Sequence, residues 1–231
     1  MNAASTAVPV IAIDGPSASG KGTIAQRVAE ALGFHYLDSG ALYRLVALAA
    51  LRSGVALEDE TAVSDLAKQL DVRFCVGRIL YNNHIVTDDI RSEICGMGAS
   101  RVALLPGVRQ ALLLRQQAFR QAPGLVAEGR DMGTVVFPDA MLKVFLTASA
   151  EVRAERRYKQ LKEKGIDANM RALLRELHER DQRDSARSVA PLQMAVDARE
   201  LDSTGIGIDE IVRQVLDWYR QNAARVAGSE R

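Results

Sequence analysis

The stretch VIAIDGPSASGKGT, Val10 to Thr23, holds a short apolar run, a glycine-rich turn and a lysine in the spacing G-x-x-x-x-G-K. Val10 to Ile13 have the length and branching of a buried strand. Beyond the turn, TIAQRVAEAL places Ile24, Val28, Ala31 and Leu32 on one helical face, and Gly33 ends the helix. Strand, loop and helix in that order give the spacing its physical meaning. Glycines let successive backbone N–H groups turn inward as an anion-binding nest. The helix start adds unpaired donors and the positive end of its dipole. Gly15, Pro16, Ser17, Ala18, Ser19, Gly20, Lys21, Gly22 and Thr23 are therefore the candidate nucleotide-phosphate site. Lys21 would deliver a point charge to the β- and γ-phosphates, and the Thr23 hydroxyl would ligand Mg²⁺. Gly22 and then Thr23 follow the lysine, where the common pattern has serine or threonine directly.

The alternation continues outward from this stretch. FHYL predicts a strand and ALYRLVALAALR a helix stopped near Gly54. GLVAE and MLKVFLTAS predict two core strands, and SAEVRAERRYKQLKEKG a helix from Ser149 to Gly165. ARELDST and DEIVRQVLDWYRQ supply a last strand and helix. Such alternation argues for an α/β fold, a parallel sheet covered by helices on both faces. One segment breaks the pattern. DVRFCVGRILYNNHIVTDD alternates at period two, with turn residues at Gly77-Arg78 and Asn82-Asn83, and reads as a small antiparallel insert. Two helical stretches follow it, around EICGMGASRVALL and GVRQALLLRQQAF.

Composition narrows the function classes. The chain has 231 residues, 48% hydrophobic and 26% charged, with a formal net charge of +1. A near-neutral balance gives no support for a nucleic-acid polymer as partner. Cys75 and Cys95 are too few for a disulfide framework or a zinc site. The start, MNAASTAVPVIAIDG, lacks the basic and apolar regions of a signal peptide, and no apolar run reaches the roughly 20 residues that span a bilayer. A cytosolic protein with no membrane partner is expected. A GTPase is disfavoured, because no N-K-x-D occurs and the DSTG at Asp202 to Gly205 follows the last strand, where it reads as a turn. The nearest match to a Walker B strand is GLVAEGRD, ending in Glu128 with Arg130 two residues on.

Phosphoryl transfer between two nucleotides asks for guanidinium groups, which stay charged and grip phosphate bidentately. Arginines on segments after the loop meet that need: Arg44 in LDSGALYR, Arg130 in GRDMG, Arg157 in RAERR, and those of ERDQRDSAR, Glu179 to Arg187. In the last run Arg180, Arg183, Asp184 and Arg187 fall on one helical face. Two readings stand open there, a solvated helix laced with i,i+4 ion pairs or a set of phosphate clamps with a carboxylate among them.

IDGPSASGKGT, LDSGALYR, EGRDMGTVVFPDA and ERDQRDSARSVAPL, in this order, resemble the motifs of the bacterial cytidylate kinases, the (d)CMP kinases among the nucleoside monophosphate kinases. The resemblance runs from about Pro9 to Trp218. It implies ATP as phosphoryl donor with Mg²⁺, CMP or dCMP as small-molecule acceptor, and a monomer. It also implies an organisation of P-loop core (1–65), an NMP-binding insert (66–108), core again (109–157), a short helical lid (158–185) and a C-terminal core strand and helix (186–231).

By the same resemblance, Ser39 and Arg44 bind the acceptor, Arg44 joining Arg130 as the clamp on its phosphate. Ser100, Arg109 and Asp131 resemble the residues that read the cytosine edge, where the N4 amino group donates and N3 and O2 accept. For Ser100 a helix-surface hydroxyl is the alternative. Arg180 and Asp184 would approach the acceptor sugar. Arg157 and Arg187 would reach the transferring phosphate and, with Lys21, do the catalytic work. The chain departs from the family wording at Ala18, where many relatives have glycine, at an unconstrained x of the motif. Glu128 is a further candidate toward Mg²⁺. Two rivals remain: a P-loop kinase with another acceptor, and a nucleotide-binding regulatory module without turnover.

Overall fold

The computed structural model describes residues 8–75, 78–163, 165–187 and 189–229. The start of the chain, 1–7, expected to carry no signal peptide, lies outside the described residues, as does Gly77 of the expected Gly77-Arg78 turn. The described chain forms two compact units, Met1–Leu37 with Ala118–Arg231, and Asp38–Gln117.

The first unit is built on a five-stranded sheet. Its strands are β1 (Val10–Asp14), β2 (His35–Asp38), β6 (Leu125–Gly129), β7 (Leu142–Thr147) and β8 (Arg199–Asp202), in the order β2-β6-β1-β7-β8. β1 lies at the centre, parallel to β6 with Ala12 opposite Ala127, and parallel to β7 with Ala12 opposite Lys143. Ile11 and Ile13 pack against Ile24, Ala25 and Val28 of α1 (Lys21–Leu32) and against Ile211 and Val215 of α8 (Ile208–Ser229). Val10 and Ala12 alternate to the opposite face and are equally buried. Burial on both faces explains why this strand reads as a continuous apolar run.

The punctuation works as the residues suggest. Gly33 takes φ 65°, and the N–H of Phe34 reaches back to the Ala29 carbonyl, closing α1. α6 (Ala150–Glu163) starts where the Ser149 hydroxyl accepts from the Val152 N–H, and Gly165 follows its end with φ 72°. α7 (Met170–Ser185) starts where Asn169 accepts from the Ala172 N–H at 3.1 Å. DSTG is a turn, with Asp202 accepting from the Thr204 N–H at 2.8 Å. One detail of the expected α1 face is corrected: Ala31 is exposed, and Ala25 and Ala29 are buried instead. The buried stripe follows i, i+1, i+4 and i+5 from Ile24, a single face of a 3.6-residue repeat, and Ala31 lies off it.

The second unit holds α2 (Ser39–Arg52), α3 (Glu60–Lys68), the meander β3 (Val72–Cys75), β4 (Arg78–Tyr81) and β5 (His84–Ile85), then α4 (Glu93–Val102) and α5 (Pro106–Gln117). The meander is antiparallel, and Asn82 and Asn83 both take positive φ, 49° and 64°, as a two-residue hairpin turn requires. α3 was not anticipated, although Asp59 caps it and Val63 and Ala67 bury an i,i+4 stripe. The segment 66–108 lies inside this unit, which also takes in α2, α3 and α5.

Candidate active site

β1 leads straight into the loop, so the loop opens at the carboxyl ends of the parallel strands, the usual ligand edge of such a sheet. Gly15 takes φ 149°, and a Cβ there would lie 2.0 Å from the Leu146 carbonyl oxygen, so only glycine fits. Gly20 caps α1 in the left-handed region with φ 96°. Ala18 corrects an expectation: its φ of 58° is also left-handed, so the position is constrained after all and favours glycine.

The loop carbonyls are gripped from outside. Arg153 on α6 donates to the Ser17 carbonyl at 3.2 Å and to the Ala148 carbonyl at 3.1 Å, and pairs with Asp181 of α7 at 2.6 Å. One turn on, Arg156 donates to the Ser19 carbonyl at 2.9 Å and to Ser203. With carbonyls held outward, amides are left for an anion. Sequence reasoning missed both arginines and singled out Arg157, which is half-buried on the same helix. The available signal was the i,i+3 spacing of Arg153 and Arg156.

Lys21 is buried and donates to the Pro16 carbonyl at 2.8 Å. Burial first and Arg130 second pull its ammonium down to about 7, against Glu128 and Asp14, which favour the charge. Glu128 accepts from the Tyr36 hydroxyl at 3.0 Å. A cleft of about 470 Å³ runs from Gly20–Thr23 past Glu128 and Lys159 to an apolar wall of Ile206, Ile208 and Ile211.

Beside the loop lies a buried ionic cluster. Arg130, just past β6, donates from Nε to Asp184 Oδ2 at 2.8 Å and from Nη2 to the Ser17 hydroxyl at 2.8 Å. Arg187 pairs with the other oxygen of Asp184. The Asp184 side chain is 1% exposed, which rules out a solvated helix face at this residue. Burial would raise its carboxyl, but Arg130, Arg187 and Arg180 hold it below the usual carboxylate range. Arg187 is not on the helix as expected, because α7 stops at Ser185. Arg183 is half-buried and donates to the Glu179 carbonyl. Asp131 is buried at the head of a π turn, Met132–Val136, which the sequence did not signal.

Of the expected acceptor residues, Ser39, Arg44, Ser100 and Arg109 belong to the second unit. Ser39 is buried at the start of α2, which Asp38 caps. Arg44 donates to the Ile90 carbonyl at 2.8 Å. Ser100 on α4 is 4% exposed, so it is no surface hydroxyl, and its Oγ has no hydrogen-bond partner among the described residues. Arg109 is buried on α5.

For a hard cation, the site offers the Thr23 hydroxyl at the start of α1 and the Glu128 carboxylate of β6. A Cβ at Gly22, straight after the lysine, would come within 3.0 Å of Glu128 Oε1, so the carboxylate fills the space of the missing side chain. Oxygen donors of this kind fit Mg²⁺, which binds through one or two protein groups and substrate phosphates.

Comparisons with known proteins bear on the family and the fold. The family model for cytidylate kinase matches residues 11–221. A Bordetella bronchiseptica protein named cytidylate kinase is 60% identical over 220 residues, covering 95% of this chain and 99% of its own. One of the same name from Ralstonia pickettii is 58% identical, covering 95% of each. Among solved structures, a gluconokinase from Sinorhizobium meliloti 1021 matches with TM-score 0.51 at 19% identity, covering 97% of this chain and 98% of its own. An uncharacterized protein from Eubacterium ventriosum matches with TM-score 0.53 at 10% identity, covering 93% and 99%. At those identities the structures speak for the fold alone. The family model and the near-full-length relatives decide the matter: the chain belongs to the cytidylate kinase family.

Proposed function

We propose that the chain transfers the γ-phosphoryl of ATP to CMP or dCMP, giving ADP and CDP or dCDP. The observation that carries this, beside family membership, is the Arg130–Asp184–Arg187 cluster joined to the phosphate loop through Ser17. A loop that only held a nucleotide would have no use for two guanidinium groups at its flank. The loop amides and Lys21 take the β- and γ-phosphates, and the Ile206, Ile208 and Ile211 wall offers the donor base an apolar face. Thr23 and Glu128 would hold Mg²⁺, which when bound neutralises charge on the donor phosphates.

Arg44 and Arg130 clamp the acceptor phosphate, and Ser39 also binds the acceptor. Arg157 and Arg187 face charge that develops during transfer, and Arg180 and Asp184 meet the sugar. A carboxylate offers about four lone-pair sites, so Asp184 has room for a hydroxyl beside its two arginines. Ser100, Arg109 and Asp131 read the base, and the orphaned hydroxyl of Ser100 supports its part. The segment 158–185 serves as the lid. No covalent enzyme intermediate is needed, since positioning and charge neutralisation carry the rate. The same proposal takes the enzyme to be a cytoplasmic monomer.

ATP-dependent ADP release across CMP, dCMP, UMP, AMP and GMP tests it. Turnover with CMP and dCMP well above the others is expected. Equal rates with UMP would point to another acceptor class, and no turnover with any of them to a regulatory module.

A further inference from the structure

We propose that Asp14 is a specificity-determining positioning residue, which holds Asp131 in register with the phosphate loop so that it can discriminate cytosine from uracil. The inference rests on the reading of Asp131 as the group that faces position 4 of the base. Asp14 ends β1 and immediately precedes Gly15. Its side chain is buried, and its two oxygens accept from the backbone N–H groups of Met132 at 2.9 Å and Gly133 at 2.8 Å. These amides belong to the two residues directly after Asp131, at the start of the π turn. In the sheet, Asp14 stands opposite Gly129, one residue before Arg130. One carboxylate therefore ties the root of the phosphate loop to the backbone that carries Arg130 and Asp131.

The arrangement is costly for a purely structural tie. Burial pushes the Asp14 carboxyl up to about 6; the Gly133 and Met132 bonds pull it down, the Asp131 carboxylate pushes it up again and Lys21 pulls it down. A buried charge close to a second carboxylate is poorly placed for stability, and well-packed neutral groups usually serve a fold as well. What a carboxylate alone provides is two acceptors for two adjacent amides, one on each oxygen. An asparagine supplies one acceptor and turns its NH₂ toward the other amide, donor against donor. The turn must then shift, and Asp131 moves with it. Specificity suffers first, because a base-reading group displaced by a fraction of an ångström loses its hydrogen bond while a charge on phosphate loses little.

The test is the CMP-to-UMP ratio of kcat/KM in Asp14→Asn, Asp131→Asn and the double variant, with KM for ATP measured alongside. Asp131→Asn should shrink the ratio by roughly 5- to 150-fold, the range of one hydrogen-bond mismatch. Asp14→Asn should shrink it at least about fivefold, with KM for ATP within about twofold of wild type. In the double variant the ratio should match that of Asp131→Asn alone, because Asp14 acts on the choice of base only through Asp131. If Asp14→Asn slows CMP and UMP equally, or its effect adds in full to that of Asp131→Asn, Asp14 is merely structural and the inference is overturned. If Asp131→Asn leaves the ratio unchanged, it is the base-reading role of Asp131 that fails, and the inference falls with it. Asp14→Ser, with one acceptor in less volume, replaces Asp14→Asn should that variant not fold. Should both fail, amide hydrogen exchange in the wild-type protein decides. The Met132 and Gly133 amides should exchange as slowly as those of β1, and rapid exchange there overturns the tie.

Discussion

Two sets of ion pairs, one from each unit, look alike in sequence and differ in kind. In the second unit, Arg52 pairs with Asp89 at 2.7 Å and Lys68 with Asp65 at 2.9 Å, with side chains 45% to 62% exposed. In the first unit, Arg130 and Arg187 share Asp184 with side chains 17%, 6% and 1% exposed. Water screens the first set, so each such pair is worth roughly 0–1 kcal/mol. The second set has given up its hydration, and its mutual attraction must offset that loss. A fold needs no such cluster for stability. Its cost is understandable where charge must be held dry and in place for an incoming phosphate.

The comparison can be broken experimentally, and the largest effect should come from the loop itself. Lys21→Ala should fold normally and lose about a hundredfold or more in kcat, as removal of one transition-state charge contact typically does. Near-normal turnover in a folded variant would refute the role of Lys21.

Next comes the cluster. Asp184→Ala leaves Arg130 and Arg187 without their shared carboxylate, and should cost about 2–3 kcal/mol in chemical denaturation, somewhat under the range for a fully buried pair because Arg130 keeps some water contact. KM for CMP should rise more than KM for ATP. The pH dependence has a definite sign. The folded-state pKa of Asp184 is held below its ordinary 3.8, so its stabilising contribution is complete above 3.8 and lost as pH falls through the lower folded value. The wild type should therefore lose stability relative to Asp184→Ala only below about pH 4. A constant difference down to pH 2 would show that the carboxylate charge is not what stabilises.

A surface pair supplies the contrast. Asp89→Ala should change stability by less than about 1 kcal/mol and leave kcat alone. A loss as large as that of Asp184→Ala would erase the distinction between the exposed pairs and the buried cluster.

Smallest of all is Ala18→Gly. It relieves a left-handed alanine but adds chain entropy to the unfolded state, so a net gain of only a few tenths of a kcal/mol is expected in thermal unfolding. A clear loss of stability would mean that the Ala18 side chain packs usefully.

Much of the fold was legible because local patterns carried it. The apolar run of Val10 to Ile13, the Gly33 stop and the paired asparagines at 82 and 83 each state a backbone preference within a few residues. α3 escaped because nine residues with two buried apolar positions leave little periodic signal. Arg153 and Arg156 escaped because an arginine on a helix reads the same whether it faces water or a loop carbonyl. The solvated-helix alternative for ERDQRDSAR could not be settled in sequence for the same reason, since burial of Asp184 depends on Arg130, 54 positions away.

By itself, then, the sequence determined the phosphate loop, the parallel sheet that presents it, the antiparallel insert and the likeness to a family, because each is written in neighbouring residues. Tertiary structure alone decided which charges are dry, which arginines hold the loop open and where Asp14 sends its two oxygens. Those outcomes depend on desolvation and on contacts between segments far apart in the chain. No local pattern records either.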